Sequence, residues 1–351
     1  MQGREDITGF ISAFAGDNRY IVDYLIEEVL QRQPERVQHF LLQTAILDRL
    51  CGPLCDAVTQ LEDGHGMLET LERANLFLIP LDDKRDWYRY RHLFADVLQA
   101  RLLKEQPTQL SILHQRASAW YEQHGLRADA IQHALAGADF ARAADLVELT
   151  WPALHRSHFR SAALLVWMKT LPDALVRVRP VLSVGYAWEY LNGGQLEAAE
   201  AHLQDAERWL ARAGDTGAQP EAPIDAMSVM DEAEFCALPA EIASARTYLA
   251  LARGDIAGTV TYARQVLDLL PENEYVRRGP AAALLGLAYW ANGELEAAYQ
   301  TLAAGMAGFQ KGGNLIFAIS GTYGLADIRT VQGRLRAAIQ IYQQALQLAL
   351  A

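Results

Sequence analysis

Between positions 7 and 30, apolar residues recur at helical spacing: Phe10, Ile11 and Phe14, then Ile21, Tyr24, Leu25 and Val29. Gly16-Asp17-Asn18 breaks the run, so the pattern predicts two helices around a turn. Pro34 opens another helix at a favourable first-turn position, and Val37, Phe40, Leu41 and Leu47 give it one apolar stripe. Gly52-Pro53 and Gly64-His65-Gly66 punctuate two shorter helices, expected over 54–60 and 67–74. The period then changes. Asn75-LFLIPL, DDKRD and WYRYR read as two short strands around a charged turn, and a helix is expected over 92–104. Helices, a hairpin and a further helix make a winged-helix-like unit.

From Leu110 onward no strand pattern occurs, and a helical motif recurs instead: glycine, a polar residue, an apolar residue, then small residues opening a helix. It stands as GGQLEAAEAHL from Gly193, GDIAGTVTYA from Gly254, GELEAAYQTL from Gly293 and GRLRAAIQIY from Gly333, with looser versions at Gly125 and Gly137. The last three strong copies lie 39 and 40 residues apart, a period that means stacked helical hairpins. Helices approach closely only where the side chains between them are small. Seven residues before each turn glycine stand Ala187, Thr247, Gly286 and Ala326, and five after it stand Ala199, Thr259, Ala298 and Ala338. These positions resemble the small-residue signature of tetratricopeptide (TPR) repeats. The stretch GDTGAQPEAPIDAMSVMDE, inside the longer gap between Gly194 and Gly254, reads as an inter-helix insertion. The expected fold class is mostly α: a winged helix with a small β-hairpin, a helical linker and a TPR-like α-solenoid. The expected divisions are a helical segment over 1–33, the winged helix over 34–106, a linker with half-repeats over 107–175 and the repeats over 176–351.

Charge and chemistry then remove several functions. Over 351 residues the chain is 51% hydrophobic and 21% charged with a net charge of −12, a composition that folds and that disfavours phosphate backbones and anionic membranes. Three cysteines, Cys51, Cys55 and Cys236, are too few for a disulfide framework and lack metal-site spacing. With no apolar run of spanning length and no signal-peptide pattern, a cytoplasmic location is expected. No phosphate-binding glycine loop, no H-E-x-x-H pair and no recognisable acid–base pair occurs, so neither enzyme nor metal site is expected, and no cofactor for this segment. His155-Arg-Ser-His158 is too little to imply a metal. A basic cluster, Lys84, Arg85, Arg89, Arg91, Arg101 and Lys104, surrounds the hairpin, but the presumed reading helix HGMLETLERAN carries Glu69 and Glu72 against one arginine. Direct DNA binding is therefore not expected.

Two stretches carry a family resemblance: ISAFAGDNRYIVDYLIEEVLQRQPERVQHFLLQTAILDRLCGPLCDAV and LETLERANLFLIPLDDKRDWYRYRHLFADVLQARL. They resemble the region that follows the ATPase core in MalT-like, LuxR-type transcriptional regulators, and HQRASAWYEQHGLRADAIQHAL and LPDALVRVRPVLSVGYAW continue the likeness into that family's repeats. The resemblance implies a regulatory segment of a signal-transduction ATPase with numerous domains (STAND), in which ATP or ADP belongs to the full-length protein. In that family a YHHLF-like motif supplies a nucleotide-sensing histidine; here Tyr90-Arg91-His92-Leu93-Phe94 places Arg91 at that position and His92 one residue later. Carrying the TPR pattern onto the chain puts the inner face of the repeats at Val184, Trp188 and Asn192; Glu241, Ser244 and Tyr248; Ala283, Leu287 and Trp290; and Ser320, Tyr323 and Asp327. Of these, Trp188, Asn192, Glu241, Tyr248, Trp290, Tyr323 and Asp327 are the candidate ligand or partner contacts. The expected partners are a small inducer or a protein or peptide on the concave face, and the ATPase domain of the same full-length chain. A protein-assembly scaffold without small-molecule sensing is the alternative.

Overall fold

Residues 25–156, 162–214 and 227–350 are described by the computed structural model. The turn expected at Gly16, most of the inter-helix insertion and His158 lie outside them. Two units are present: residues 1–147 with 166–171, and residues 148–165 with 172–351.

The first unit starts with a π-helical turn over Leu25–Leu30. Helices α1 (Glu35–Thr44), α2 (Gly52–Thr59) and α3 (Gly64–Arg73) follow, then strands β1 (Leu78–Pro80) and β2 (Tyr88–Tyr90), and helices α4 (His92–Glu105), α5 (Pro107–Gln123) and α6 (Arg127–Ala136). The strands pair antiparallel with Ile79 opposite Arg89, and Leu50 adds a bridge to Tyr88 on the other edge. Asp82 closes the wing turn by accepting the amide hydrogens of Asp86 and Trp87, both at 3.0 Å, which is the local chemistry the Asp-rich break foretold. Phe40, Leu54, Leu68, Leu71, Tyr88, Phe94 and Leu98 fill the core. The glycines that punctuate the pattern here are also contact points. They begin α2 and α3, and a β-carbon on Gly64 would stand 2.5 Å from the Gly52 carbonyl oxygen, so the two helix starts touch backbone to backbone. Between α5 and α6 the buried rings of His114 and His133 share a hydrogen bond, Nδ1 to Nδ1 at 2.9 Å, and burial pulls the His114 imidazole down to about 4.

The division between units falls inside α7 (Phe140–Arg156). After α8 (Ala162–Thr170) and the short α9 (Asp173–Arg177), the second unit is a series of hairpins. α10 (Pro180–Asn192) packs on α11 (Leu196–Gly214), α12 (Glu232–Ala252) on α13 (Ile256–Leu269) and α14 (Tyr275–Ala291) on α15 (Leu295–Lys311). In the fourth hairpin the first helix is broken into α16 (Leu315–Ser320) and α17 (Thr322–Val331) before α18 (Leu335–Leu350). No strand occurs among the described residues after β2.

Each hairpin turns on the glycine that the repeat pattern marks. Gly194, Gly254, Gly293 and Gly333 all take φ between 72° and 80°, which lets the next residue's amide reach back across the helix end. Asp255, for example, donates to the Ala250 carbonyl at 2.9 Å and Glu294 to that of Tyr289 at 2.9 Å. Two turns differ from expectation. After α6 the left-handed residue is Ala138 rather than Gly137, and a further glycine turn at Gly313, outside the repeat pattern, joins α15 to α16. All eight small positions of the pattern are buried.

Candidate functional site

The first helices of the hairpins, α10, α12, α14 and α17, carry every candidate repeat contact, with Asn192 exposed at the last position of α10. The repeat offset makes Trp188, Tyr248, Leu287 and Asp327 equivalent positions. The structure brings the first two together: the Trp188 indole meets the Tyr248 ring edge-on at 5.1 Å, and His155, at the end of α7, lies 4.7 Å from the same indole. Trp188 is only 8% exposed, and its indole N–H is buried without a hydrogen-bond partner. A buried donor left unmatched costs about 1–3 kcal/mol.

Two turns before Tyr248 on α12 stands Glu241, 8% exposed. Burial pushes its carboxyl up, and Arg277 on α14, donating at 3.3 Å, acts against that shift. Arg156 grips Glu234 at the start of α12 through its two terminal guanidinium nitrogens, at 3.0 and 2.8 Å. This cluster thus combines an aromatic wall with a buried carboxylate that faces Arg277. Trp290 and Tyr323 stand elsewhere: Trp290 packs against the Leu302 and Leu325 cluster, and Tyr323 meets Tyr342 of α18 edge-on at 5.7 Å. Large apolar side chains nonetheless stay exposed along this face, namely Tyr248, Leu251, Leu287, Tyr323 and Val331. Asp327 is exposed beside them. His155 and Arg277 are not legible as site residues in the sequence, His155 because it precedes the repeats and Arg277 because an ion pair between hairpins leaves no spacing signal.

A second feature lies between α11, α12 and α13: a cavity of about 180 Å³, walled by Leu210, Pro239, Ile242 and Ala243 and edged by Glu207 and Arg246. In the first unit, Arg91 and His92 are both exposed where β2 gives way to α4, with the Arg89 guanidinium 3.1 Å from His92 Nε2. The chain has no phosphate-binding glycine loop. On α3, Glu69 pairs with Arg73 at 2.6 Å and with His65 at 3.3 Å, while Glu72 pairs with Arg85 at 3.5 Å, so the basic groups of that helix face its own carboxylates. Cys51 and Cys55 are buried thiols, both pushed up by burial. Among the described residues no cluster of His, Cys, Asp or Glu is suited to a metal, and no helix is long and apolar enough to cross a membrane.

Known proteins share both halves of this arrangement. Residues 26–110 match the family description of the MalT winged helix domain, and residues 240–351 that of the MalT-like TPR region. The HTH-type transcriptional regulator MalT of Yersinia pestis is 27% identical over 330 residues, which is 94% of this chain and 34% of that protein. The serine/threonine-protein kinase PknK of Mycobacterium tuberculosis is 35% identical over 188 residues, 54% of this chain and 17% of that one. The chain therefore spans about a third or less of these curated relatives. In fold it resembles the crystal structure of a STAND protein with a tetratricopeptide repeat sensor from Pyrococcus horikoshii, at a TM-score of 0.55 and 16% identity over 93% of this chain and 46% of that one.

Proposed function

We propose, for a chain that joins a MalT winged helix domain to a MalT-like TPR region, that the first helices of its hairpins form the docking face of a sensor in a transcriptional regulator. The observation that carries this reading is the conjunction on one face of exposed Tyr248, Leu251 and Leu287 with exposed Asp327, beside the buried Trp188 ring. Apolar anchors beside one oriented polar group are what binding faces use. The row is open to solvent, which favours an amphipathic helix or an extended peptide segment over a small inducer held in a closed pocket. Docking acts by preferring one of two arrangements of the hairpins, and the nucleotide state of an ATPase domain in the longer protein follows that preference. Neither catalysis nor direct DNA reading belongs to this segment; α3, with its cations paired, is a structural helix.

Calorimetric titration of the chain with candidate peptides, sugars and nucleotides tests the reading. Trp188→Phe shortens the aromatic wall behind Tyr248, and Leu287→Ser opens the middle of the row. Both are expected to weaken binding of whichever ligand gives heat by more than they lower stability. A ligand that binds both variants as tightly as the parent chain refutes the assignment.

A further inference from the structure

The void between α11, α12 and α13 belongs to a junction that the repeat builds twice. At the repeat offsets of 60 and 39 residues, Glu207, Leu210, Pro239 and Arg246 correspond to Leu267, Leu270, Arg278 and Leu285, which stand where α13 meets α14. That later junction is packed shut: Leu267 lies against the clusters that hold Leu285, Leu270 and Ala281, and the Arg278 guanidinium donates to the Leu267 and Leu270 carbonyl oxygens. In the earlier junction a proline and a charged pair replace those groups, and about 180 Å³ stays open. The void therefore comes from particular residues and not from the stacking of hairpins as such. It is also separate from the face to which docking is assigned above. At about 3.6 residues per turn, Pro239, Ile242, Ala243 and Arg246 fall on one side of α12, and Glu241, Ser244 and Tyr248 on the opposite side.

We propose that this void is a binding site for a compact, uncharged ring that carries one hydroxyl or carbonyl group. Size sets the ring: an aliphatic-walled cavity of about 150 Å³ takes up benzene, and the walls here, Leu210, Pro239, Ile242 and Ala243, are likewise apolar. Charge excludes ions. Both Glu207 oxygens accept from Arg246, and the two Glu200 oxygens take Arg246 and Arg253, so an ion entering the site meets no unpaired counter-charge and has to break an existing pair. The polar group of the ligand is selected by α13. The Tyr262 hydroxyl and the Gln265 amide, one turn apart at the rim, make no hydrogen bond among the described residues, and both can donate to an oxygen or accept from a hydroxyl. An apolar wall with a few convergent neutral polar groups is the ordinary composition of a small-molecule site.

Fluorine NMR titration of the chain with para-fluorophenol tests this, with para-fluorobenzoate and para-fluorobenzylammonium as charged counterparts and fluorobenzene as the ring without a polar group. Saturable binding is expected, tightest for para-fluorophenol. Leu210→Trp, which extends a half-buried wall residue into the void, is expected to raise its Kd by about tenfold or more. Leu287→Ser, on the docking face, is expected to leave that Kd unchanged. Tyr262→Phe removes a single oxygen and keeps the test in force if Leu210→Trp fails to fold; it is expected to weaken para-fluorophenol about three- to tenfold and fluorobenzene not at all. Tighter binding of either charged probe overturns the assignment of a neutral ligand. Binding of para-fluorophenol that does not saturate, that Leu287→Ser abolishes, or that Leu210→Trp or Tyr262→Phe leaves as in the parent chain overturns the site.

Discussion

The third hairpin and the junction between the first two use opposite means to hold helices together. Where α14 crosses α15, the backbones themselves touch: a β-carbon on Gly286 would stand 2.7 Å from the Leu302 nitrogen, one on Gly305 2.7 Å from the Ala283 nitrogen, and one on Gly308 2.9 Å from the Gly279 α-carbon. Behind that contact lie Leu285, Leu302, Met306 and Ile328. Where α12 meets α11, the link is charge. Arg246 forks onto Glu207 at 2.8 and 2.7 Å and reaches Glu200 at 2.6 Å, and Arg253 holds the other Glu200 oxygen at 2.8 Å. The 180 Å³ cavity sits at this second junction. Close backbone packing has one geometry and no adjustable part, whereas a network of long side chains around a void tolerates several. On the proposed sensor reading, the freedom to rearrange belongs to the charged junction and the fixed frame to the glycine-lined hairpin.

The sharpest way to break this contrast is to fill the glycine crossing. Gly286→Val places methyl groups where there is no room for one carbon, and overpacking of this kind costs about 1–3 kcal/mol or more. The helix-propensity difference between valine and glycine, at most about 0.5 kcal/mol in favour of valine, does not reverse the sign. Denaturant unfolding followed by Trp290, which packs on this hairpin, is expected to show a stability lower by that amount, with the midpoint moved to lower denaturant. An unchanged midpoint means that the crossing is loose and the contrast false.

At the charged junction the expected effect is smaller. Arg246 is 11% exposed, but Glu207 is 40% exposed at its side chain, so solvent screens part of the pair. Arg246→Met is expected to cost about 1–2 kcal/mol, and raising the salt concentration is expected to narrow the gap between variant and parent. Gly286→Val has no such salt dependence.

Acid distinguishes the two regions again. Burial acts to raise the Glu200 carboxyl, but hydrogen bonds from Arg246, Gln204 and Arg253 outweigh it and hold the group below the usual carboxylate range. A folded value below the unfolded one gives stability that is complete above the unfolded value and is lost as pH falls through the folded one. The charged junction should therefore loosen as pH falls below the ordinary carboxylate range, while the glycine crossing, which has no titratable group in it, does not. Fluorescence of Trp209 on α11 against that of Trp290, each in a chain with the other tryptophans replaced by phenylalanine, reads the two regions separately.

Chain order explains why one of these regions is legible in the sequence and the other is not. Small residues at fixed distances from a turn glycine are a local constraint, so Ala187, Thr247, Gly286 and Ala326 mark the hairpins by spacing alone. The equivalence of Trp188 and Tyr248 follows from the same register, and their rings do meet. Gly279, Gly305 and Gly308 carry close contacts but fall outside the register, and they give no signal. Ion pairs give none either: Arg246 is 39 residues from Glu207 and 46 from Glu200, in a chain with 43 acidic residues to choose from. Partners of that kind are selected by the fold after it forms, as His155 beside Trp188 also shows.

The smallest effect is expected where the two modes coincide. Near the third hairpin, Glu296 on α15 takes Arg329 of α17 at 2.9 Å, a charged contact laid over a region otherwise held by packing. Glu296 is 51% exposed at its side chain, and the Arg329 guanidinium also lies over the Tyr299 ring at 3.3 Å, so it keeps a partner when the carboxylate is removed. Glu296→Gln should leave the Trp290 unfolding midpoint unchanged at low and at high salt, unlike Arg246→Met at the junction that depends on charge. A salt-dependent loss at Glu296 equal to that at Arg246 means that ion pairs hold both regions alike, and that the glycine crossing is not what sets the third hairpin apart.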